Sequence, residues 1–229
     1  MNFIRAILFC SVGAIASADL VLAELFEGAI DCQVVVPSQA NVTSKILIKG
    51  NMVRTETPLQ VFNSVTTAYS IVDFDKHQQI RIWPDKKVAV IEPWEPKTLK
   101  GVKVPEFTKT GVTDKILGYP VEQFVIRAPD GEFLELWSTT ELNFSRPILQ
   151  IYSSGVPQGD GWQETEYFKK GYYSLRTIHK AANGTMKFKL EVKRVERKPL
   201  ASELFTIPSD YQRTERNATG SAASSTTGH

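Results

Sequence analysis

Apolar and polar side chains alternate one by one along much of this chain. In Met186–Lys193, the residues Met186, Phe188, Leu190 and Val192 share one face, and Lys187, Lys189, Glu191 and Lys193 share the other. A period of two puts successive side chains on opposite sides of a strand, so this stretch predicts a sheet with one wet face. Ile46 and Ile48 alternate with Lys45 and Lys49 in the same way, and Gly50-Asn51 reads as a hairpin turn into Met52–Glu56. Ser70–Phe74 and Gln79–Trp83 flank a tight connection at Asp75-Lys76, and Trp83-Pro84-Asp85-Lys86 turns into Lys87–Ile91. Val121–Arg127 and Glu132–Thr139 flank Ala128-Pro129-Asp130-Gly131, in which Pro presets φ and Gly accepts φ > 0. Tyr172–Lys180 and Met186–Glu196 flank Asn183-Gly184, the strongest short hairpin signal in the chain. These segments predict a meander of roughly ten antiparallel strands.

Helical periodicity is scarce. It predicts a helix within Leu142–Tyr152, capped by Asn143 and limited by Pro147, and a short turn at Leu200–Phe205. Glu92–Phe107 contains Pro93, Pro96 and Pro105 and reads as a loop crossing the sheet. Several strands are apolar on both faces. Phe133 and Trp137 oppose Leu134 and Leu136, and Val121 and Val125 oppose Phe124 and Ile126. Such strands are covered on both sides. A curved sheet around a helix or loop does this, and so does a sheet lining a ligand cavity.

The two ends differ from the middle. Arg5 precedes an apolar run from Ala6 to Ile15, then small-residue cleavage patterns at Ala16-Ser17-Ala18 and Val21-Leu22-Ala23. A run of about ten apolar residues has the length of a signal core and is too short to span a bilayer. The expectation is a signal peptide over 1–23 and an exported, soluble protein in the periplasm or outside the cell. Cys10 lacks the small residues a lipobox needs before it. No later stretch approaches the roughly 18 apolar residues of a spanning helix. Residues 217–229 are rich in Ser, Thr, Ala and Gly and cannot bury apolar surface. The reading is a single domain over 24–211 and a disordered tail over 212–229.

Composition narrows the chemistry. The chain has 229 residues, 42% of them hydrophobic, with 27 Lys and Arg against 25 Asp and Glu. A core is affordable, and a net charge of +2 does not suggest a nucleic-acid partner. The two cysteines exclude a disulfide scaffold, and the distant His77, His179 and His229 give no metal spacing. Cys32, the cysteine left after export, sits between Ile30 and Val34 and reads as buried. There is no nucleophile elbow, phosphate loop or dinucleotide fingerprint. Glu92 and Glu95, or Asp160, Glu164 and Glu166, read as solvated loop acids, and His179 as a half-buried structural residue. No metal, no cofactor and no catalytic residue are expected. Asn41, Asn143, Asn183 and Asn217 head glycosylation-type triplets, relevant in a eukaryotic source. Lys187, Lys189, Lys193, Arg194, Arg197 and Lys198 form a basic stripe that reads first as a solubilising sheet face and second as a headgroup-attracting one.

One stretch resembles a known family. Thr108–Leu142 carries Thr110-Gly111, Gly118-Tyr119, Phe124, Gly131 and Trp137 in the order found in the bacterial domain-of-unknown-function family numbered 4412. Leu200–Tyr211, with Phe205-Thr-Ile-Pro208 and a final Tyr, resembles that family's ending. Tyr69–Pro93 is similar to hairpins of LolA/LolB-like lipoprotein carriers. The likeness covers about 26–211. Many members carry a Cys near the position of Val121, so a disulfide to Cys32 is not available here. The resemblance implies a mainly β fold with minor α: a LolA-like, half-open β-barrel whose concave face is covered by a short helix or loop. It also implies an exported, non-enzymatic protein and transfers no catalytic residue.

Two readings of function follow. In the first, the half-barrel holds a lipid, lipoprotein or other amphiphile, with Ile80, Ile82, Phe124, Phe133, Trp137 and Phe188 lining the cavity and Trp94 on a lid. In the second, the interior is solid and the protein is a ligand-free partner or scaffold of the cell envelope, offering a sheet edge. An enclosed apolar pocket of roughly 300 Å³ or more favours the first, and a filled interior the second.

Overall fold

The computed structural model describes residues 24–61, 64–95, 99–104, 106–151 and 159–216. The expected signal segment, the chain from 217 on and the end of the expected helix at Tyr152 lie outside these residues.

Among the described residues, fourteen strands run in chain order. They are β1 (Gly28–Val35), β2 (Val42–Lys49), β3 (Met52–Val61), β4 (Ser64–Asp73), β5 (Gln78–Trp83), β6 (Val88–Pro93) and β7 (Leu99–Lys103). After them come β8 (Phe107–Ile116), β9 (Tyr119–Arg127), β10 (Phe133–Thr139), β11 (Gly159–Asp160), β12 (Tyr173–Lys180), β13 (Met186–Arg197) and β14 (Gln212–Glu215). Helix α1 spans Arg146–Ile151 and α2 spans Glu166–Lys169. Twelve strands form one curved open sheet in the order β14-β6-β5-β4-β3-β2-β1-β13-β12-β10-β9-β8. All of its pairs are antiparallel except β14 on β6. The expected mainly β, antiparallel, curved architecture is therefore present, with two more strands in the sheet than the rough count.

The differences from expectation share one cause. Ordered chain runs past Tyr211, because Gln212–Glu215 pairs with Val88–Ile91. The stretch read as a loop after Glu92 contains β7, which pairs with β11 from sixty residues away. Strand content set by a distant partner has no local alternation to betray it. The helix read within Leu142–Tyr152 starts only at Arg146, so Asn143 lies outside its cap position. Asn143 has φ of 49° and its Nδ2 donates to the Glu24 carbonyl at 2.9 Å.

The strands bury side chains on both faces, as their two-sided apolar pattern requires. On one face, Ile30, Cys32, Ile48, Val53, Ile126, Leu136, Leu175 and Val192 meet Leu142, Phe144, Ile148 and Leu149 from the α1 region and Trp162, Tyr167 and Phe168 from the α2 region. We call this the helix face. On the other, Leu47, Tyr69, Ile71, Ile80, Ile82 and Ala89 meet Leu200 and Phe205 of the C-terminal segment. This segment is a strap. The Arg54 guanidinium donates to the Leu204 carbonyl at 2.8 Å and lies over the Tyr69 ring at 3.7 Å. Lys87 and Asp210 pair at 2.8 Å where the strap reaches β14.

Where the strap ends, the same face becomes an ion-pair surface. Glu191 accepts from Arg176 Nε at 2.9 Å and Lys189 at 3.1 Å, and also from Lys193. Lys187 pairs with Glu132, and Glu196 with Arg194 and Lys198. The basic stripe is thus largely neutralised by its own acids. Burial pushes the Glu191 carboxyl up, but hydrogen bonds from Lys193, Lys189 and Arg176 outweigh it and hold it at about 2. Its folded value lies below the unfolded one, so folding favours the ionised form. That contribution is complete above about pH 5 and fades as pH falls toward about 2. Urea unfolding between these limits should show wild type losing stability that Glu191→Gln, lower throughout, does not lose. Parallel curves for the two proteins would contradict the network.

Cys32 is buried on the helix face. Burial, with a smaller push from the Asp31 carboxylate, raises its thiol to about 12. At pH 8 the thiol should resist alkylation in the native state and react at once in urea. Rapid labelling of the folded protein would place Cys32 elsewhere.

Candidate functional site

The seven residues expected to line one cavity do not meet. Ile80 and Ile82 lie under the strap. Trp94 packs edge-on against Phe74 at 5.2 Å, beside the helix-face core. Phe133 sits between Arg127 at 5.3 Å and Lys180 at 5.6 Å, half-buried. Trp137 is half-buried at the bulge before Ser138. Phe188 meets His179 edge-on at 5.3 Å, and His179 Nε2 lies 2.8 Å from Glu132. Of the seven, Phe124 borders an aromatic cleft, and Ile82 lines a separate, more open depression of about 310 Å³ beside Tyr69 and Trp83. The cause is parity. Strands apolar on both faces send alternate residues to opposite sides of the sheet, and the strap turns the Ile80 and Ile82 side into a second core.

That cleft lies at the sheet end formed by β8 and β9. It is half-open, encloses about 260 Å³, and is lined by Val104, Glu106, Phe107, Lys109, Phe124, Thr165, Glu166, Tyr167, Lys170 and Tyr172. Phe107 and Lys109 arrive two apart on β8, so one side of that strand faces the cleft. The opposite wall is α2. Thr165 caps it, its Oγ1 accepting from the Phe168 amide at 3.2 Å, and the single turn aims Tyr167 inward. Tyr167 is the centre of the wall. It stacks on Phe107 at 4.8 Å and Tyr172 at 5.3 Å and meets Phe124 edge-on at 5.2 Å. Its hydroxyl is 2.8 Å from Ser138 Oγ.

Charged groups surround the aromatic floor in pairs. Lys109 Nζ lies 2.6 Å from Glu122, which also accepts from the Tyr172 hydroxyl. Lys170 and Glu166 pair at 2.5 Å across one turn of α2. The hydrogen bonds from Lys109 and Tyr172 hold Glu122 below the usual carboxylate range, and Lys170 does the same for Glu166. Lys170 is raised by Glu166. Burial raises Tyr167, and burial with the Glu122 bond raises Tyr172. The carboxylates stay ionised and the phenols stay protonated, so these groups are not poised to exchange protons near neutrality. The arrangement suits binding: a flat apolar floor with polar groups at its mouth.

Sequence reasoning missed Phe107, Lys109, Tyr167 and Tyr172 as site residues. A signal was present in Thr165-Glu166-Tyr167-Phe168-Lys169-Lys170: a capping residue, an acid in the first turn and bases in the last. Among the described residues no cluster of three or more His, Cys, Asp or Glu is placed to hold a metal ion. Among them, too, no helix is long and apolar enough to cross a membrane.

Comparisons with known proteins give the following. An uncharacterised conserved protein from Thermus thermophilus is 14% identical, with a TM-score of 0.49, 83% of this chain and 91% of that one being covered. MucB in the MucA/MucB complex of Pseudomonas aeruginosa is 9% identical at a TM-score of 0.46, covering 82% of this chain and 56% of that one. A LolA superfamily protein from Nitrosomonas europaea is 10% identical at a TM-score of 0.31, covering 81% and 91%. No residue role is transferred from likenesses this distant. No curated protein matches the sequence. The family model for a domain of unknown function, DUF4412, matches residues 26–211, nearly the whole described fold from Phe26 in the helix-face core to Tyr211 at the end of the strap, and the chain belongs to that family.

Proposed function

We propose that this is an exported, non-catalytic interaction protein of the cell envelope that captures one apolar group of a partner in the aromatic cleft. Export rests on the Arg5-led apolar run and the small-residue patterns before Glu24. One observation carries the rest. The helix face is filled by the protein's own side chains, and the aromatic space left at the β8 end is about 260 Å³. Pockets for whole small ligands start at roughly 300 Å³ and are more enclosed. The cleft therefore suits part of a molecule better than a whole lipid. The paired, unexchanging charges around it support the non-catalytic reading.

Benzene is a suitable probe, since apolar cavities take it up. Dissolved benzene should shift the ring signals of Phe107, Phe124, Tyr167 and Tyr172 and leave Ile80 and Ile82 unmoved. Absence of any shift at those rings removes the cleft from consideration. A fatty-acid dye-displacement assay addresses the amphiphile reading in parallel. Tight displacement, with fatty acid retained in native mass spectrometry, would restore that reading in place of this one.

A further inference from the structure

From the placement of the cleft we infer that the partner is an extended polypeptide, added as a strand to the outer edge of β8 with one large apolar side chain seated in the cleft. The inference rests on the binding role proposed above. Strand β8 is the last in the sheet order, and among the described residues no strand pairs with its outer edge. An unpaired edge presents a row of N–H and C=O groups. A hydrocarbon chain leaves these unsatisfied, whereas another extended backbone matches them. The cleft opens along the same strand. Phe107 and Lys109 line it while Thr108 alternates away, so an added strand would send alternate side chains toward the aromatic floor.

The edge is not uniform. Register with β9 is regular at Phe107–Lys109 and Thr113–Ile116 and breaks between them. In the break, Thr110 Oγ1 lies 2.9 Å from Gln123 Oε1 and accepts from the Val112 amide at 3.2 Å. The bulge satisfies the Val112 amide from within and leaves Phe107–Lys109, beside the cleft, as a stretch in regular register. Two of the four exposed large apolar side chains among the described residues, Val112 and Leu117, lie on β8 and the turn after it. A second copy paired along the whole of β8 is disfavoured as the occupant. Antiparallel self-pairing centred on Val112 sets Lys109 opposite Lys115. The bulge interrupts the ladder at the same point.

The test uses the chain from Glu24 to His229 and a defined probe, acetyl-Ser-Val-Thr-Phe-Thr-Val-Ser-amide, followed by NMR. Saturable shifts are expected at the amides of Phe107, Thr108 and Lys109 and at the Tyr167 and Tyr172 rings. N-methylation of the two probe threonines, or replacement of its phenylalanine by alanine, should each weaken binding by about tenfold or more. An N-methylated probe that binds unchanged overturns strand addition and leaves the cleft reading standing. An alanine probe that binds unchanged overturns both. No saturable shift up to about 5 mM, a concentration that detects even very weak complexes, overturns the inference alone if benzene still shifts the rings. Dimerisation of the protein through β8 would also overturn it, by naming a second copy as the occupant.

Discussion

Tyr167→Ala is expected to lower the unfolding free energy by about 3–5 kcal/mol, the range for deleting a buried aromatic side chain. Tyr167 is 3% exposed, and four other aromatic rings lie around it. Its removal opens a hole between β8, β9 and α2 that backbone movement cannot close. The buried Ser138 hydroxyl loses its partner at the same time. Tyr167→Phe separates the two effects. It keeps the stack and removes only the hydroxyl contact, so it should cost about 1 kcal/mol. Urea unfolding followed by circular dichroism measures both. If the alanine variant is no less stable than the phenylalanine one, the aromatic wall does not hold this end of the sheet.

Gly28→Ala should cost about 3 kcal/mol, at the upper end for overpacking. Gly28 starts β1 with φ of 152°, paired with Ile48 on one side and Arg197 on the other. A Cβ there would lie 2.0 Å from the Glu196 carbonyl oxygen and 3.1 Å from Arg197 Cα. Those are backbone atoms, so relief requires β1 and β13 to separate. Both strands sit at the middle of the sheet. Gly50→Ala is the control. Its φ of 57° also favours glycine, but a Cβ there meets nothing within 4 Å, so about 1 kcal/mol is expected from the turn alone. Equal stabilities for the two variants would contradict the close approach of β1 to β13.

Much of the sheet was legible in the chain. The alternation in Met186–Lys193 places Phe188, Leu190 and Val192 on one face, and in the structure Val192 is core while Lys189 and Lys193 ion-pair with Glu191. Asn183-Gly184 and Ala128–Gly131 mark the hairpins between β12 and β13 and between β9 and β10. The residues of the candidate cleft were less legible. Period-two reasoning showed that Ile80 and Phe124 are both buried but not that they belong to different cores. Phe107 and Tyr167 are sixty positions apart, and their stacking follows from the packing of α2 against the sheet edge.

Taken alone, the order of residues decided that this would be a mainly β protein with turns at named positions and two-sided apolar strands. Those properties depend on neighbours two to four positions apart, through strand pleat and turn dihedrals. Tertiary structure decided which apolar face belongs to which core, that a C-terminal strap closes one of them, and that an aromatic cleft lies beside the edge strand β8. Each of these depends on contacts between distant segments, and local alternation carries no information about which distant segment arrives.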